Sequence, residues 1–366
     1  MSDKKIYKVM VVGVGKRGKH HAVAFKNNPR FELAGIADSS PAQLAKASAE
    51  LGIQKTSLNP LALAQEIQPD VFCFCTPPGI RLELIRVGIA SGAKLIAYEK
   101  PMALSMNEAI EIRKAVNRAG VKTVVSHQHR YGQHYQKVRE IVVSGALGRI
   151  HTIHAHASGW FLHLFTHLVE YMRWYNDYAR AEWVMAQASG RGKLSDNHPS
   201  PDYIGGFIQF ANGVRGIIEC GAGAPDVPEV DYWWRKNKIS VYGTAGFAEV
   251  MTGGGWSSVT GAHQGVSFGP GCMNYDIEMP PYVEDMVRWL DDDKKVHPCN
   301  GESAYEGFEI TMGMLRSVVQ HGQIAMPLGP GEAEIEALER VLPEQPVLVS
   351  GDHNRKEYHA ELEVCR

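Results

Sequence analysis

An apolar strand that runs straight into a glycine loop constrains this chain more than any other feature: Val9-Met10-Val11-Val12, then Gly13-Val14-Gly15-Lys16-Arg17-Gly18. Gly13 permits the tight turn out of the strand. Gly15 lets the backbone approach a pyrophosphate, and Gly18 lets the next helix pack close, with its N-terminal N–H groups facing the phosphates. A second strand, Phe31 to Ala37, ends in Asp38. That is where such a loop expects the carboxylate that binds an adenosine ribose 2′-OH. A 2′-phosphate would meet like charge there, so the expected cofactor is NAD rather than NADP. Lys16 and Arg17 are the nearby cations that could reach a phosphate instead.

The chain has 366 residues, long for a single core, and two domains are expected. With 21% charged residues and a net charge of −2, nothing favours a broad basic surface for nucleic acid or a polybasic membrane patch. No secretory h-region precedes the first strand, and no apolar run reaches the length of a membrane span. The six cysteines (Cys73, Cys75, Cys220, Cys272, Cys299 and Cys365) show no CxxC spacing. Cys73 and Cys75 share one strand face and read as small hydrophobes, reduced thiols of a cytoplasmic protein.

The first third alternates strands (Lys8–Val12, Phe31–Ala37, Val71–Cys75, Lys94–Tyr98, Lys122–Ser126) with helical segments (Gly18–Lys26, Pro41–Leu51, Ile80–Ala90, Met106–Arg118). Ser105-Met106-Asn107-Glu108 is a capping box, and Gly120 supplies that helix's stop. Alternation with near-continuous apolar strands predicts a doubly wound parallel sheet, buried on both faces. After about residue 148, strands follow one another: Arg149–Ser158, Trp183–Ser189, Tyr203–Phe210, Val214–Cys220, Lys238–Tyr242 and Phe247–Met251. Asn212-Gly213 signals a hairpin. A largely antiparallel sheet is expected, interrupted by a helix from about Leu162 to Tyr175. Helices follow at Tyr282–Asp291, Ser303–His321 and Ala333–Val341. Gly253-Gly254-Gly255 reads as a flexible loop, and Asp285, Asp291, Asp292 and Asp293 as a solvated helix end. The expected fold is α/β, with domains over 1–126 and 127–328 and an extension over 329–366.

Ligands of open parallel sheets bind at the carboxyl ends of strands. Two ends besides the glycine loop qualify: Thr76-Pro77-Pro78 and Glu99-Lys100-Pro101. The prolines stiffen a turn and the Thr hydroxyl can reach a cofactor. A Lys and a Glu on that rim are poorly explained as solvated decoration.

These elements together resemble the Gfo/Idh/MocA family of NAD(P)-dependent oxidoreductases (glucose–fructose oxidoreductase, inositol dehydrogenase and relatives). The resemblance extends to about residue 328, where Met326-Pro327-Leu328 is similar to the end of the family's last core helix. It implies a Rossmann domain followed by an α+β domain, whose open-faced sheet carries the contacts of a homo-oligomer. It implies NAD contacts from Gly13, Val14, Gly15, Lys16, Arg17, Gly18, Asp38, Thr76, Pro77, Pro78, Glu99, Lys100 and Pro101. The family's motif lysine, here Lys100, holds the reacting hydroxyl. Its Asp-x-x-x-His helix supplies the acid/base. Here that helix reads His163-Leu164-Phe165-Thr166-His167, so His167 matches the catalytic histidine and His163 stands where Asp is common.

The chemistry of the residues agrees. Oxidation of a secondary alcohol sends a hydride from carbon to the cofactor and a proton from oxygen to a base. An imidazole suits the proton, and a lysine ammonium favours the developing alkoxide. Spacing i, i+4 puts His163 and His167 on one helix face. The same pair has metal spacing, with His151, His154 and His156 upstream. No HExxH glutamate and no Cys ligand cluster accompanies them, so no metal is expected. Trp160, Trp233 and Trp234 offer aromatic faces to a sugar or aglycone, their alternative being packing. Arg130 and Tyr131 follow the fifth strand and either face the cleft or start a helix. The expected activity is hydride transfer between NAD and a hydroxyl of a sugar, glycoside or cyclitol, including oxidation of a glycoside ring to a keto-glycoside. The alternatives are a glycosidase using NAD for transient oxidation and elimination, and a non-catalytic NAD-binding sensor or scaffold.

Overall fold

A computed structural model describes residues 5–343 of the chain. Two compact units emerge: the described residues up to Gln128 together with Tyr275–Tyr305, and His129–Asn274 together with the described residues from Glu306. The first unit is thus discontinuous in sequence, unlike the single cut near residue 126 expected above.

The first unit alternates β1 (Tyr7–Val12), α1 (Lys16–Asn27), β2 (Phe31–Ala37), α2 (Pro41–Leu51), β3 (Thr56–Ser57), α3 (Pro60–Ile67), β4 (Val71–Phe74), α4 (Arg81–Ala90), β5 (Leu95–Glu99), α5 (Met106–Ala119) and β6 (Lys122–Ser126). The strands form one sheet in the order β3-β2-β1-β4-β5-β6, every pair parallel. In β1, Val9 through Val12 are buried without alternation, because both faces of the sheet are covered. Helices α2, α3 and α5 start on side-chain caps. Ser40 Oγ accepts from Gln43 N, and Asn59 Oδ1 accepts from Leu61 N and Ala62 N. At α5, Ser105 Oγ accepts from Glu108 N, while Glu108 reaches back to Leu104 N rather than to Ser105 N.

The second unit holds α6 (Gln133–Val143), β7 (Ile150–Ala157), α7 (Thr166–Tyr175), β8 (Ala181–Ser189), β9 (Tyr203–Phe210), β10 (Arg215–Gly221), β11 (Asn237–Gly243), β12 (Gly246–Met251), β13 (Gly255–Thr260) and β14 (His263–Gly269). The chain then gives α8 (Tyr275–Asp291) to the first unit. It returns through α9 (Gly301–Gln320), β15 (Ile324–Ala325) and α10 (Glu334–Val341). The second sheet runs β14-β13-β12-β11-β7-β10-β9-β8-β15 and is antiparallel except at β10–β7. Helix α7 packs on β7 and β11, and α6 on β12 and β13. Along β8, Val184 is buried and Met185 exposed, the alternation of a sheet with one covered face.

Three expectations change. Gly253-Gly254-Gly255 is not a free loop: it turns the chain between β12 and β13, which pair from Met251↔Gly255. Helix α8 starts seven residues before the expected Tyr282, running through Pro280 and Pro281. Asp291 accepts from Tyr7 Oη and from both terminal nitrogens of Arg30, so it fastens α8 to the start of β1 instead of merely being solvated. Cys365 and the extension beyond residue 343 lie outside the described residues.

Candidate active site

The turn after β1 is shaped by what cannot fit there. Gly13 has φ +77°, and a Cβ on it would lie 2.6 Å from the carbonyl oxygen of Cys75. A Cβ on Gly18 would lie 1.8 Å from the Gly13 oxygen. Gly15 has open space above it, as a phosphate-binding turn requires. It is also the N-cap of α1, with no side-chain cap and no acid in the first turn. The N-terminal N–H groups and the positive end of the helix dipole therefore remain for an anion. Asp38 closes the rim: its carboxylate accepts from Val14 N at 2.8 Å and Ser40 N at 2.9 Å. Loop and acid are thus held together, the Asp38 carboxylate tied to the backbone on both sides of the rim.

Two of the expected cofactor contacts belong to the scaffold. Arg17 turns back from the loop: Nε and Nη2 donate to Glu99 Oε1 at 3.1 and 2.8 Å, and its guanidinium lies 4.2 Å from the Tyr275 ring centroid. Arg17 is therefore engaged by Glu99 and Tyr275, while Lys16 is solvent-exposed. The same oxygen of Glu99 accepts from His21 Nε2 at 3.1 Å. Burial opposes its charge, but Arg17 and His21 hold the Glu99 carboxyl well below the usual carboxylate range. Glu99 braces α1, and its part in cofactor binding is indirect.

Arg81 was not singled out from the sequence, yet it ties the two motif turns together. It is buried at the start of α4 and donates to Thr76 O (2.9 Å), Thr76 Oγ1 (3.3 Å) and Pro101 O (3.1 Å). Thr76-Pro77-Pro78 and Lys100-Pro101 are thereby fixed as one rim, with Pro77 exposed and Pro78 buried. Lys100 stands on it, half-buried. Burial pushes its ammonium down to a pKa of about 8; Glu99 opposes that fall, and Arg17 and Arg81 add to it.

In the second unit, Phe161–Phe165 form a π-helical turn that leads into α7. The expected helix is present, but His163 sits in the π turn and His167 in the α-helix. Leu162 N donates to Ser200 Oγ there. His167 is buried, with Nδ1 3.1 Å from Tyr171 Oη and its ring 5.1 Å from that of His129. His129 and Tyr171 were not anticipated. The polar run His127-Gln128-His129-Arg130 after an apolar strand was the available signal. His163 stacks on His198 at 4.0 Å and meets the Trp233 ring edge-on at 6.2 Å. Trp160 lies 6.2 Å from Trp233, and Trp234 5.9 Å from Trp233. Four of the residues singled out for substrate contact, Trp160, His163, Trp233 and Trp234, thus form one aromatic cluster. Arg130 is different: it donates to Tyr178 Oη at 2.6 Å, lies 3.9 Å from Glu170 and covers the Trp174 ring. These contacts make it a packing cation rather than a cleft-facing one. Tyr131 ends the short 3-10 turn Gln128–Tyr131.

The strand histidines are engaged separately: His151 with Thr152, His154 with Glu219, and His156 with the carbonyl of Pro225. Among the described residues, one group of three metal-type donors lies within mutual reach, and it is His21, Cys73 and Cys75. The reading of those two cysteines as inert small hydrophobes missed the imidazole that α1 brings to them.

Residues 7–127 match the Gfo/Idh/MocA family, an oxidoreductase family with an NAD-binding Rossmann fold. Inositol 2-dehydrogenase of Rhizobium meliloti is 27% identical over 143 residues, 39% of this chain and 42% of the relative. D-glucoside 3-dehydrogenase of Escherichia coli is 26% identical over 151 residues, 41% of this chain and 43% of the relative. These alignments span less than half the length of those relatives. A solved levoglucosan dehydrogenase, in complex with NADH and levoglucosan, superposes with a TM-score of 0.75 at 17% identity, over 88% of this chain and all of that one. It shares the fold.

Proposed function

Because residues 7–127 match the Gfo/Idh/MocA oxidoreductase family with its NAD-binding Rossmann fold, we propose that the chain is an NAD-dependent dehydrogenase of a secondary hydroxyl on a sugar, glycoside or cyclitol. The observation that carries the reading is Lys100, a half-buried ammonium with its pKa brought down to about 8, on the same sheet rim as the glycine cradle. In this reading the first-turn N–H groups of α1 bind the pyrophosphate and Asp38 the ribose hydroxyls. The bound nicotinamide supplies the hydride acceptor. Lys100 donates a hydrogen bond to the substrate oxygen and favours its alkoxide character as the proton leaves. In the second unit, His167, with Tyr171 at its Nδ1, is the residue to which the family resemblance assigns proton transfer.

The substrate class draws support from the cluster of Trp160, His163, Trp233 and Trp234, whose ring faces suit the C–H faces of a pyranose. Relatives named for inositol and D-glucoside oxidation point the same way. Homo-oligomer formation through the second sheet belongs to this reading. Met185 and Phe207 pair directly across β8 and β9 and are 49% and 53% exposed, an apolar patch on an uncovered face. A reducing, cytoplasmic setting is also part of it.

A panel of sugars, glycosides and cyclitols supplied with NAD+ tests the proposal through the absorbance of reduced nicotinamide. Net NADH from one class supports it. Glycoside cleavage without net NADH would favour the transient-oxidation glycosidase, and tight NAD binding with no turnover on any member would favour a sensor or scaffold.

A further inference from the structure

Directly beneath the glycine loop, β4 and α1 bring three soft donors together. Cys73 lies within β4 and Cys75 just past its end, two residues apart and so on one face. His21 comes from α1. The ligand atoms of the three all lie within 4.8 Å of one another, and Cys73 Sγ is 3.8 Å from His21 Nδ1. The Cys73–His21 separation is close to that of two donors on one tetrahedral ion, and the 4.8 Å limit leaves Cys75 within a short side-chain adjustment of it. Bonds of about 2.3 Å to sulfur and about 2.0–2.1 Å to nitrogen put neighbouring donors roughly 3.6 Å apart.

The surroundings are those of a metal ligand as well. His21 Nε2 donates to Glu99, a carboxylate kept ionised by its pair with Arg17. Glu99 thus holds the ring with Nε2 toward the carboxylate and Nδ1 toward Cys73. A carboxylate behind an imidazole fixes tautomer and orientation in this way at zinc sites. His21 and Cys73 have no solvent exposure, whereas Cys75 is partly exposed, which gives an ion a way in.

We propose that His21, Cys73 and Cys75 bind one borderline-soft divalent cation of the Zn2+ type. Binding forms two metal–thiolate bonds and one metal–imidazole bond, releases to solvent the protons carried by the two sulfurs and by Nδ1, and leaves a fourth position for an exogenous ligand. Two sulfurs and one nitrogen select against Mg2+ and Ca2+. The ion cross-links α1 to β4. Cys75 Cβ lies 3.5 Å from where a Gly18 Cβ would stand, so the cross-link falls under the loop that cradles phosphate.

The test uses the full-length, reduced, metal-free protein and Co2+ as the spectroscopic probe. The expected result is a thiolate-to-cobalt charge-transfer band that saturates at one ion per chain and is displaced by Zn2+. Cys73→Ser and Cys75→Ser each abolish the band, Cys272→Ser keeps it, and Glu99→Gln weakens cobalt binding about 10- to 100-fold. Circular dichroism and NAD binding verify that the variants are folded. Absence of the band in the wild-type protein at stoichiometric Co2+ overturns the proposal without recourse to any variant. A band that survives in both folded serine variants overturns it equally.

Discussion

The charge on Lys100 is set by a balance that one substitution can tip. Burial and the guanidinium groups of Arg17 and Arg81 lower its pKa, while Glu99 opposes them, and the outcome is about 8. Glu99→Gln removes the opposing carboxylate with little change in volume and leaves both guanidinium groups in place. Loss of a nearby opposite charge is worth about 1–3 pKa units, so the variant's lysine should titrate near 7 or below. The ammonium is the low-pH form, so its share falls as pH rises through the pKa. At pH 7.5 about three quarters of the protein carries it with a pKa of 8, and about one quarter with a pKa of 7. Reductive methylation with 13C-formaldehyde makes the group visible to NMR, and Lys100→Arg identifies its resonance. The alkaline limb of kcat/KM should move toward acid by the same interval. A wild-type midpoint at the ordinary lysine value, or a Glu99→Gln midpoint that stays or rises, would refute the electrostatic reasoning.

Substitution of His167 by Ala should lower kcat about 10²–10⁴-fold while the Kd for NAD, read by fluorescence titration, stays near wild type; unchanged turnover removes it from proton transfer. Asp38→Ala should raise the KM for NAD and relax discrimination against NADP about tenfold or more, the ratio of kcat/KM for the two cofactors being the readout. Gly18→Ala places a methyl 1.8 Å from the Gly13 carbonyl oxygen; it should cost about 1–3 kcal/mol or more in denaturant unfolding and abolish NAD binding. Phe207→Asp should shift the oligomer toward smaller species in sedimentation velocity if the β8–β9 patch is an interface.

The parallel sheet was legible because its strands are uninterrupted apolar runs separated by helical segments. The helix over Pro60–Ile67 was missed although Asn59-Pro60 carries both an N-cap and a first-turn proline; eight residues give too little periodicity to stand out. Helix α6, with the right spacing in Tyr135, Val138 and Val142, begins at Gln133, just past the Arg130-Tyr131 position where a helix start was one of the two expectations. Strands β13 and β14 carry Gly, Ser and His where apolar alternation would be expected, so their pairing partners define them. At the site, the motif residues announced themselves by position. The partners that set their behaviour did not: Arg81, His21, His129 and Tyr171 reach their neighbours through packing, which no local pattern encodes. Arg17 was misread for the same reason, since the carboxylate that captures it lies 82 residues away.

The route of the chain through the first unit has a consequence for its biogenesis. Tyr282 packs edge-on against His21, and Tyr7 bonds to Asp291, so the cofactor-binding sheet lacks part of its covering until α8 has been made. A ribosome that has released only the first 128 residues has delivered every strand of that sheet but not its last wall. The nascent segment should therefore remain protease-sensitive and a client for chaperones until nearly three hundred residues have been translated, and a genetic truncation at the apparent boundary should yield an insoluble fragment.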